Sequence, residues 1–225
     1  MVMSRESTEQ QPPLSNEELI SFREWLTERN KPRRIIIGMS GASGAQYSIR
    51  LLEVLSGLPY IETHLVVSDG MKTVMRLEMN YTSEDIERVA KLASVVYDNR
   101  NMASAISSGS FKTEGMIVVP CSVKTLQEIA SGNDESLISR AAFCTLKEGR
   151  ELVLVPRETP ATLQYLKNLV TAKENGASIV FPEPAFYHKP KTFEAIIDQT
   201  VGKILDQLGI EANLFQRWET PEEID

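Results

Sequence analysis

Three short stretches of the 225-residue chain carry side chains suited to holding an anion: Ser-Gly-Ala-Ser-Gly at 40–44, Cys-Ser-Val-Lys-Thr at 121–125 and Arg-Glu-Thr at 157–159. Each follows an apolar run of strand type. The glycines of the first loop, Gly41 and Gly44, which flank Ala42 and Ser43, let the backbone approach a ligand closely. Ser43, Ser122 and Thr125 can donate hydrogen bonds to phosphate beside the free amides of a helix start, each dipole contact contributing about 0.3 to 1 kcal/mol. Val123 and Lys124 complete the second loop, and Ser68 closes a further strand-like run, "ETHLVVS". Such a pocket captures phosphate without a metal. The loop at 40–44 lacks the full GxGxxG spacing and the Walker pattern. Where a ribose-reading acid would stand there is Ser68, with Asp69 one position late, which speaks against a dinucleotide dehydrogenase.

A second set of charged and aromatic residues lies further on. Arg140 and Lys147 are seven apart, one face of a helix, and Arg157 and Glu158 emerge from the strand that follows. Tyr187 and His188 sit between prolines in "PEPAFYHKP", and Lys203 falls on the last helical pattern. Arg140 and Lys147 read equally as solvated charges on a surface helix, Tyr187 as a core aromatic and His188 as a surface residue.

The elements that must position these groups alternate along the chain. Strand-like runs "RIIIGM", "ETHLVVS", "SVVYD", "GMIVVPC", "ELVLVP" and "ASIVFP" are separated by helical patterns beginning near Ala45, Asp69, Ser83, Val123, Ser136, Thr162 and Thr192. Nearly continuous apolar strands between helices predict an α/β, Rossmann-like, doubly wound parallel sheet buried on both faces. In such a sheet ligands bind beyond the carboxyl ends of the strands, where the polar loops above fall. "NRNMASAISSGSFKTEG" fits neither period, and a Ser/Gly-rich loop of that length is more often functional than spare.

We expect one domain over 33–209, an N-terminal extension over 1–32 with an amphipathic helix in "SNEELISFREWLTER", and a tail over 210–225. The extension opens with a polar stretch rather than a signal peptide, and no run reaches the roughly 20 apolar residues of a membrane span, so a cytoplasmic location is expected. A formal charge of -7, from 31 acidic against 24 basic residues, argues against nucleic acid or an anionic membrane as partner. Two cysteines, Cys121 and Cys144, without a CxxC pair or a matching His cluster, predict reduced buried thiols rather than a disulfide or zinc site.

In order along the chain, "GMSGASGAQY", "SSGSF", "PCSVKTL", "LKEGRELVLVPRETP" and "PAFYHKP" resemble the UbiX/Pad family of flavin prenyltransferases, from about Arg33 to Trp218. The resemblance implies an FMN site at Gly41, Ala42, Ser43, Ser68, Ser122, Val123, Lys124, Thr125 and Arg157. It implies a site for dimethylallyl phosphate at Tyr187 and Lys203, with Lys147, Arg140 and Glu158 close to the phosphate and Ser108, Gly109 and Ser110 lining the isoprenoid side. Glu78 matches a glutamate of the family's active site. The implied reaction joins a dimethylallyl group to N5 and C6 of reduced FMN. The product, prenylated FMN, serves a UbiD-type decarboxylase, and a large homo-oligomer, a dodecamer, carries active sites at subunit contacts. Cations on the leaving phosphate would stabilise its growing charge, and Glu158, assisted by Glu78, or the released phosphate would take the C6 proton. No metal has a role.

The chain departs from the family pattern at two places, with Phe143 where an Asp is common after Arg-Ala-Ala and Lys203 where an Arg is frequent. Lysine keeps the charge and loses the fork geometry. Two other functions fit parts of the pattern. An FMN-dependent cysteine decarboxylase needs a catalytic His near the flavin and an Asn-containing loop, whereas the histidines here are His64 and His188 and the loop reads "CSVKT". A non-catalytic FMN-carrying subunit has no need of Lys147, Glu158 and Tyr187.

Overall fold

The computed structural model describes residues 31–218. The helix expected at 15–29 and the end of the tail lie outside the described residues. Six strands, β1 (Arg33–Met39), β2 (Ile61–Val67), β3 (Val95–Asp98), β4 (Gly115–Cys121), β5 (Glu151–Pro156) and β6 (Ser178–Ile179), pair in the order β3-β2-β1-β4-β5-β6. Every pairing is parallel. The chain winds outward from β1 to β3, then returns to place β4 on the other side of β1. That reversal opens a crevice between the carboxyl ends of β1 and β4.

Seven α-helices cover the sheet among the described residues. On one face α1 (Ala45–Ser56), α2 (Asp69–Met79), α3 (Ser83–Ala90) and α7 (Phe193–Asp206) pack on Ile35, Ile37, Leu65, Ile117 and Val153. On the other, α4 (Val123–Ser131), α5 (Leu137–Lys147) and α6 (Leu163–Glu174) pack on Ile36, Val66, Met116, Val118 and Leu154. Alternate strand residues therefore serve opposite layers, the reason the strands read as unbroken apolar runs. Leu51, Leu52 and Leu55 of α1 are essentially unexposed. Each contributes about 1.5–3 kcal/mol by burial, well above the few tenths that separate ordinary helix propensities, so packing holds α1 in place.

The helix starts agree with those read from the sequence, and most carry the caps that make them legible. Ser68, Thr82, Ser122, Ser136, Thr162 and Thr192 each accept a first-turn amide at the start of α2 to α7. Helix α1 is the exception among the described helices: its N-cap is Gly44, at φ 109, with no side-chain cap. In its first turn the Tyr47 amide donates to the Gly44 carbonyl at 3.1 Å, and no side chain caps the amides of Ala45 and Gln46 at the sheet's carboxyl edge.

One strand is shorter than expected, and a second, β4, spans the residues expected but is irregular. β6 is two residues long where "ASIVFP" predicts more, because Pro182 and Pro184 have no N–H for the ladder and the chain leaves the edge after Val180 donates to the Leu154 carbonyl at 2.9 Å. In β4 the register with β5 shifts between Val118 and Cys121, where Pro120 again removes a donor.

Residues 210–218 do not trail away. Ile210 is buried, the Phe215 ring occupies the place a side chain at Gly202 of α7 would take, and the Arg217 guanidinium forks onto Asp206.

Candidate active site

The carboxyl ends of β1 and β4 are joined by a buried serine. Ser40 Oγ donates to the Pro120 carbonyl at 2.9 Å and accepts the Ser122 amide at 2.8 Å. This clasp fixes the loop that starts α1 relative to the cap of α4. Next to it the loop after β2 presses on the loop after β1: a Cβ at Gly41 would lie 3.0 Å from the Gly70 Cα, so glycine is required for that approach.

A cavity of about 470 Å³ opens over these loops, within the usual range for small-molecule sites, about 300–1,000 Å³. Gly41 reaches it from the β1 loop; Ser68, Asp69 and Gly70 from the β2 loop; Asn99 from the end of β3; Ser122, Val123, Lys124, Thr125 and Glu128 from α4; Ser136 and Ile138 from the start of α5; and Glu158 from beyond β5. Four helices, α1, α2, α4 and α5, start along this edge. Ser122 Oγ donates to Thr125 Oγ1 at 3.1 Å while accepting the Thr125 amide at 3.2 Å.

The charges are mixed. Lys124 lies 3.6 Å from Glu128 Oε1, and Ser136 Oγ donates to Glu128 Oε2 at 3.3 Å, which confines that carboxylate. An anion here is thus bound mainly by amides, hydroxyls and helix starts, with Lys124 as local cation. Cys121, at the end of β4, is fully buried, and burial pushes its thiol far above the ordinary range, which leaves it inert. Among the described residues no group of three His, Cys, Asp or Glu side chains converges as a metal site would need.

Of the residues predicted for FMN, Gly41, Ser68, Ser122, Val123, Lys124 and Thr125 border this one cavity, together with Glu158. Ala42 and Ser43 are not among its lining residues; Ser43 Oγ donates to Glu78 Oε2 at 3.0 Å, which ties the β1 loop to α2. Arg157 follows β5, exposed, its amide 3.4 Å from the Cys121 carbonyl. The residues fit a flavin mononucleotide: helix-start amides and hydroxyls suit the phosphate, and the cavity of about 470 Å³ is of the size small-molecule sites have.

The residues predicted for the second phosphate are not brought together within one chain. Arg140 is held by Asp134 at 2.5 Å and by the Ser107 carbonyl at 3.0 Å. Lys147 is exposed at the far end of α5, 3.8 Å from Glu148. Ser108 and Ser110 bond each other at 2.9 Å, and Gly109 is buried with its carbonyl taking Arg150 Nη2 at 2.7 Å. Tyr187, 39% exposed, lies edge-on to Trp218 and His188, and Lys203 borders a second cleft of about 270 Å³ with Gln199, Thr200 and Phe181. Phe143 is exposed, under the Arg140 guanidinium at 5.8 Å.

Sequence reasoning passed over Asn99, Asp69, Gly70, Glu128, Ser136 and Ile138. Asn99 had a signal, since it ends β3; its carbonyl takes the Leu137 amide at 2.8 Å and its Oδ1 the Ile138 amide at 3.1 Å, which ties α5 to the crevice. Glu128 had none, because only the packing of α4 on α5 turns it inward.

A crevice of this kind at the switch point of a parallel sheet defines the nucleotide-binding flavoprotein class. The model of the Flavoprotein family matches residues 24–212. A probable UbiX-like flavin prenyltransferase of Sedimentibacter hydroxybenzoicus is 49% identical over 186 residues, 83% of this chain and 97% of that protein. The crystal structure of AnUbiX in complex with FMN and dimethylallyl pyrophosphate superposes with a TM-score of 0.81 at 44% identity, covering 85% of this chain and all of that one. A dodecameric FMN-dependent UbiX-like decarboxylase from Escherichia coli O157:H7 gives 0.79 at 45%, covering 83% of this chain and 100% of that one. This chain belongs to the Flavoprotein family and, within it, to the UbiX-type flavin prenyltransferases. No described helix is long and apolar enough to cross a membrane.

Proposed function

We propose that the protein transfers a dimethylallyl group from dimethylallyl phosphate to N5 and C6 of reduced FMN, and that the prenylated FMN passes to a UbiD-type decarboxylase. The observation that carries the reading is the cavity at the β1/β4 switch point, whose phosphate-binding edge and Glu158 converge on one volume, in a chain 49% identical to a UbiX-like relative. The bound flavin supplies the nucleophilic ring atoms. The chain's residues hold the rest.

The amides at the start of α1 and α4, with Ser122 and Thr125, seat the FMN phosphate, while Ser43 and Glu78 border the ring. Lys147, Arg140, Lys203 and the Tyr187 hydroxyl take the donor phosphate, whose charge grows as the allylic C–O bond breaks, so they stabilise the transition state more than the ground state. Ser108, Gly109 and Ser110 face the isoprenoid and keep water from the allylic carbon. Glu158 accepts the proton lost from C6 on ring closure, with Glu78 assisting. Because the cations stand apart in one chain, the donor site is completed by neighbouring copies, as the dodecameric relative permits.

The test is anaerobic incubation of the full chain with reduced FMN and dimethylallyl phosphate, followed by mass spectrometry of the extracted flavin. A gain of one C5H8 unit is expected. Unmodified flavin at full occupancy refutes the proposal.

A further inference from the structure

The tail over 210–218 meets Tyr187 directly, through Trp218, and reaches Lys203 through the carboxylate they share, Asp206. Asp206, at the end of α7, takes Arg217 Nη2 on Oδ1 at 2.7 Å and Nη1 on Oδ2 at 3.0 Å, and the same Oδ2 takes Lys203 Nζ at a looser 3.4 Å. The paired guanidinium holds the Asp206 carboxyl below its usual range. Arg217 is braced in turn by the Phe215 ring, 5.4 Å from its guanidinium. That ring fills the notch at Gly202, where a Cβ would overlap its edge atoms. This accounts for a glycine in the middle of a helix, where it costs about 0.5–1 kcal/mol against alanine. Trp218 meets Tyr187 edge-on at 5.8 Å; Tyr187 meets His188 at 5.3 Å, and His188 meets Phe215 at 6.4 Å. Neither His188 nitrogen has a hydrogen-bond partner, so packing alone holds that ring.

We propose that Arg217 is a positioning residue for the donor phosphate: by occupying both oxygens of Asp206 through a bidentate fork it leaves Lys203 only a loose 3.4 Å contact with that carboxylate, which a phosphate can displace, while Phe215 and Trp218 hold the Tyr187–His188 pair. This rests on the reading of Lys203 and Tyr187 as donor ligands. Without Arg217, Lys203 is the one cation within reach of Asp206 among the described residues. As an i,i+3 partner on the same helix it closes onto the carboxylate, and a phosphate must then compete with an intramolecular anion. A guanidinium fork is the stronger partner for a carboxylate, which is why the ammonium's contact with Asp206, at 3.4 Å, is the looser of the two.

The test measures binding of dimethylallyl phosphate to the FMN-loaded full chain by calorimetry, so it is independent of turnover. Arg217→Ala is expected to raise the donor Kd about tenfold, with the FMN Kd unchanged. Adding Asp206→Asn to that variant restores donor affinity, because Lys203 is released; Arg217→Lys, which keeps charge without the fork, falls between. Gly202→Ala, which displaces Phe215 but removes no charge, weakens the donor in the same direction and replaces Arg217→Ala should that variant not fold. An unchanged donor Kd in Arg217→Ala, or a double variant as weak as the single one, overturns the proposal. Lys203→Ala separates the two levels: if it leaves donor affinity intact, the donor assignment fails and the positioning role with it. If it weakens the donor while Arg217→Ala does not, only the positioning role falls.

Discussion

Replacing Ser40 by alanine removes one oxygen from the point where the sheet reverses direction. Ser40 is 1% exposed, so water does not take over its bonds. The Ser122 amide, 2.8 Å from Ser40 Oγ, is left as a buried donor without a partner, at a cost of about 1–3 kcal/mol. The Pro120 carbonyl loses the hydroxyl at 2.9 Å but keeps the Ser40 amide at 3.2 Å, so its loss adds at most about 1 kcal/mol. The expected total, about 2–3 kcal/mol, corresponds to a fall in melting temperature of about 4–12 °C for a domain of this size. The damage is local to the crevice, since Ser122 caps α4 and both ends of the clasp adjoin the amides proposed to seat the FMN phosphate; the FMN Kd is expected to rise about tenfold. Thermal melting at fixed protein concentration and flavin fluorescence titration measure the two effects. A variant that melts within about 2 °C of the parent and binds FMN equally well refutes the clasp; lower melting with unchanged FMN binding makes it structural only.

Three further outcomes are expected. Gly41→Ala drives a Cβ to 3.0 Å from Gly70 backbone, well inside normal carbon contact, and is expected to cost about 1–3 kcal/mol and to weaken FMN more than Gly70→Ala, whose Cβ meets Gly41 Cα at 3.3 Å; the reverse order in a fluorescence titration contradicts it. His64, 2% exposed between Tyr97 and Glu62, has its pKa lowered, chiefly by burial and against the pull of Glu62. Its neutral form is therefore favoured on folding: the contribution is complete above the unfolded value of about 6.5 and is lost as pH falls through it toward the folded value, by at most about 1.4 kcal/mol per pH unit. Urea midpoints at pH 7.5 and 5.5 should differ less in His64→Gln than in the parent. Glu158→Gln should bind FMN normally and lose about 10²–10⁴-fold in turnover; full turnover in a quench-flow assay removes Glu158 from the proton step.

The fold was legible because each of its signals is local. Unbroken apolar strands and Ser or Thr caps before each helix but α1 can be read within a few residues, and the rule that ligands sit at carboxyl ends of parallel strands then collects Ser68, Ser122 and Glu158 without knowledge of any side-chain contact. What packing decides was not legible. Ser40 and Ser43 stand three apart in one loop and look alike in sequence; the first is buried and structural, the second half-buried and bonded to Glu78. Arg140 reads as a free cation until Asp134 is found 2.5 Å away.

The donor residues show most sharply what one chain's sequence hides. Helix α5 runs antiparallel to the strands, so Ser136 at its start lies on the carboxyl edge with the cavity, while Lys147 ends its 11 residues about 15 Å further along the axis, toward the opposite edge. Lys203 is likewise three residues from the end of α7, near where Arg33, the first residue of β1, donates to the Leu208 carbonyl at 2.9 Å. α5 and α7 also pack on opposite faces of the sheet. No change of rotamer carries both ammonium groups to Glu158, because the separation exceeds the length of a lysine side chain. If the three act on one donor molecule, at least one lysine comes from another copy. Mixed oligomers test this directly: Lys147→Ala and Glu158→Gln chains, each inactive alone, should recover part of the turnover when co-assembled, since some sites then receive an intact residue from each parent. Lack of any recovery in co-purified mixed assemblies would place Lys147 and Glu158 in one chain and leave Lys203 as the lysine from another copy; no recovery with Lys203→Ala in place of Lys147→Ala as well would contradict the geometry.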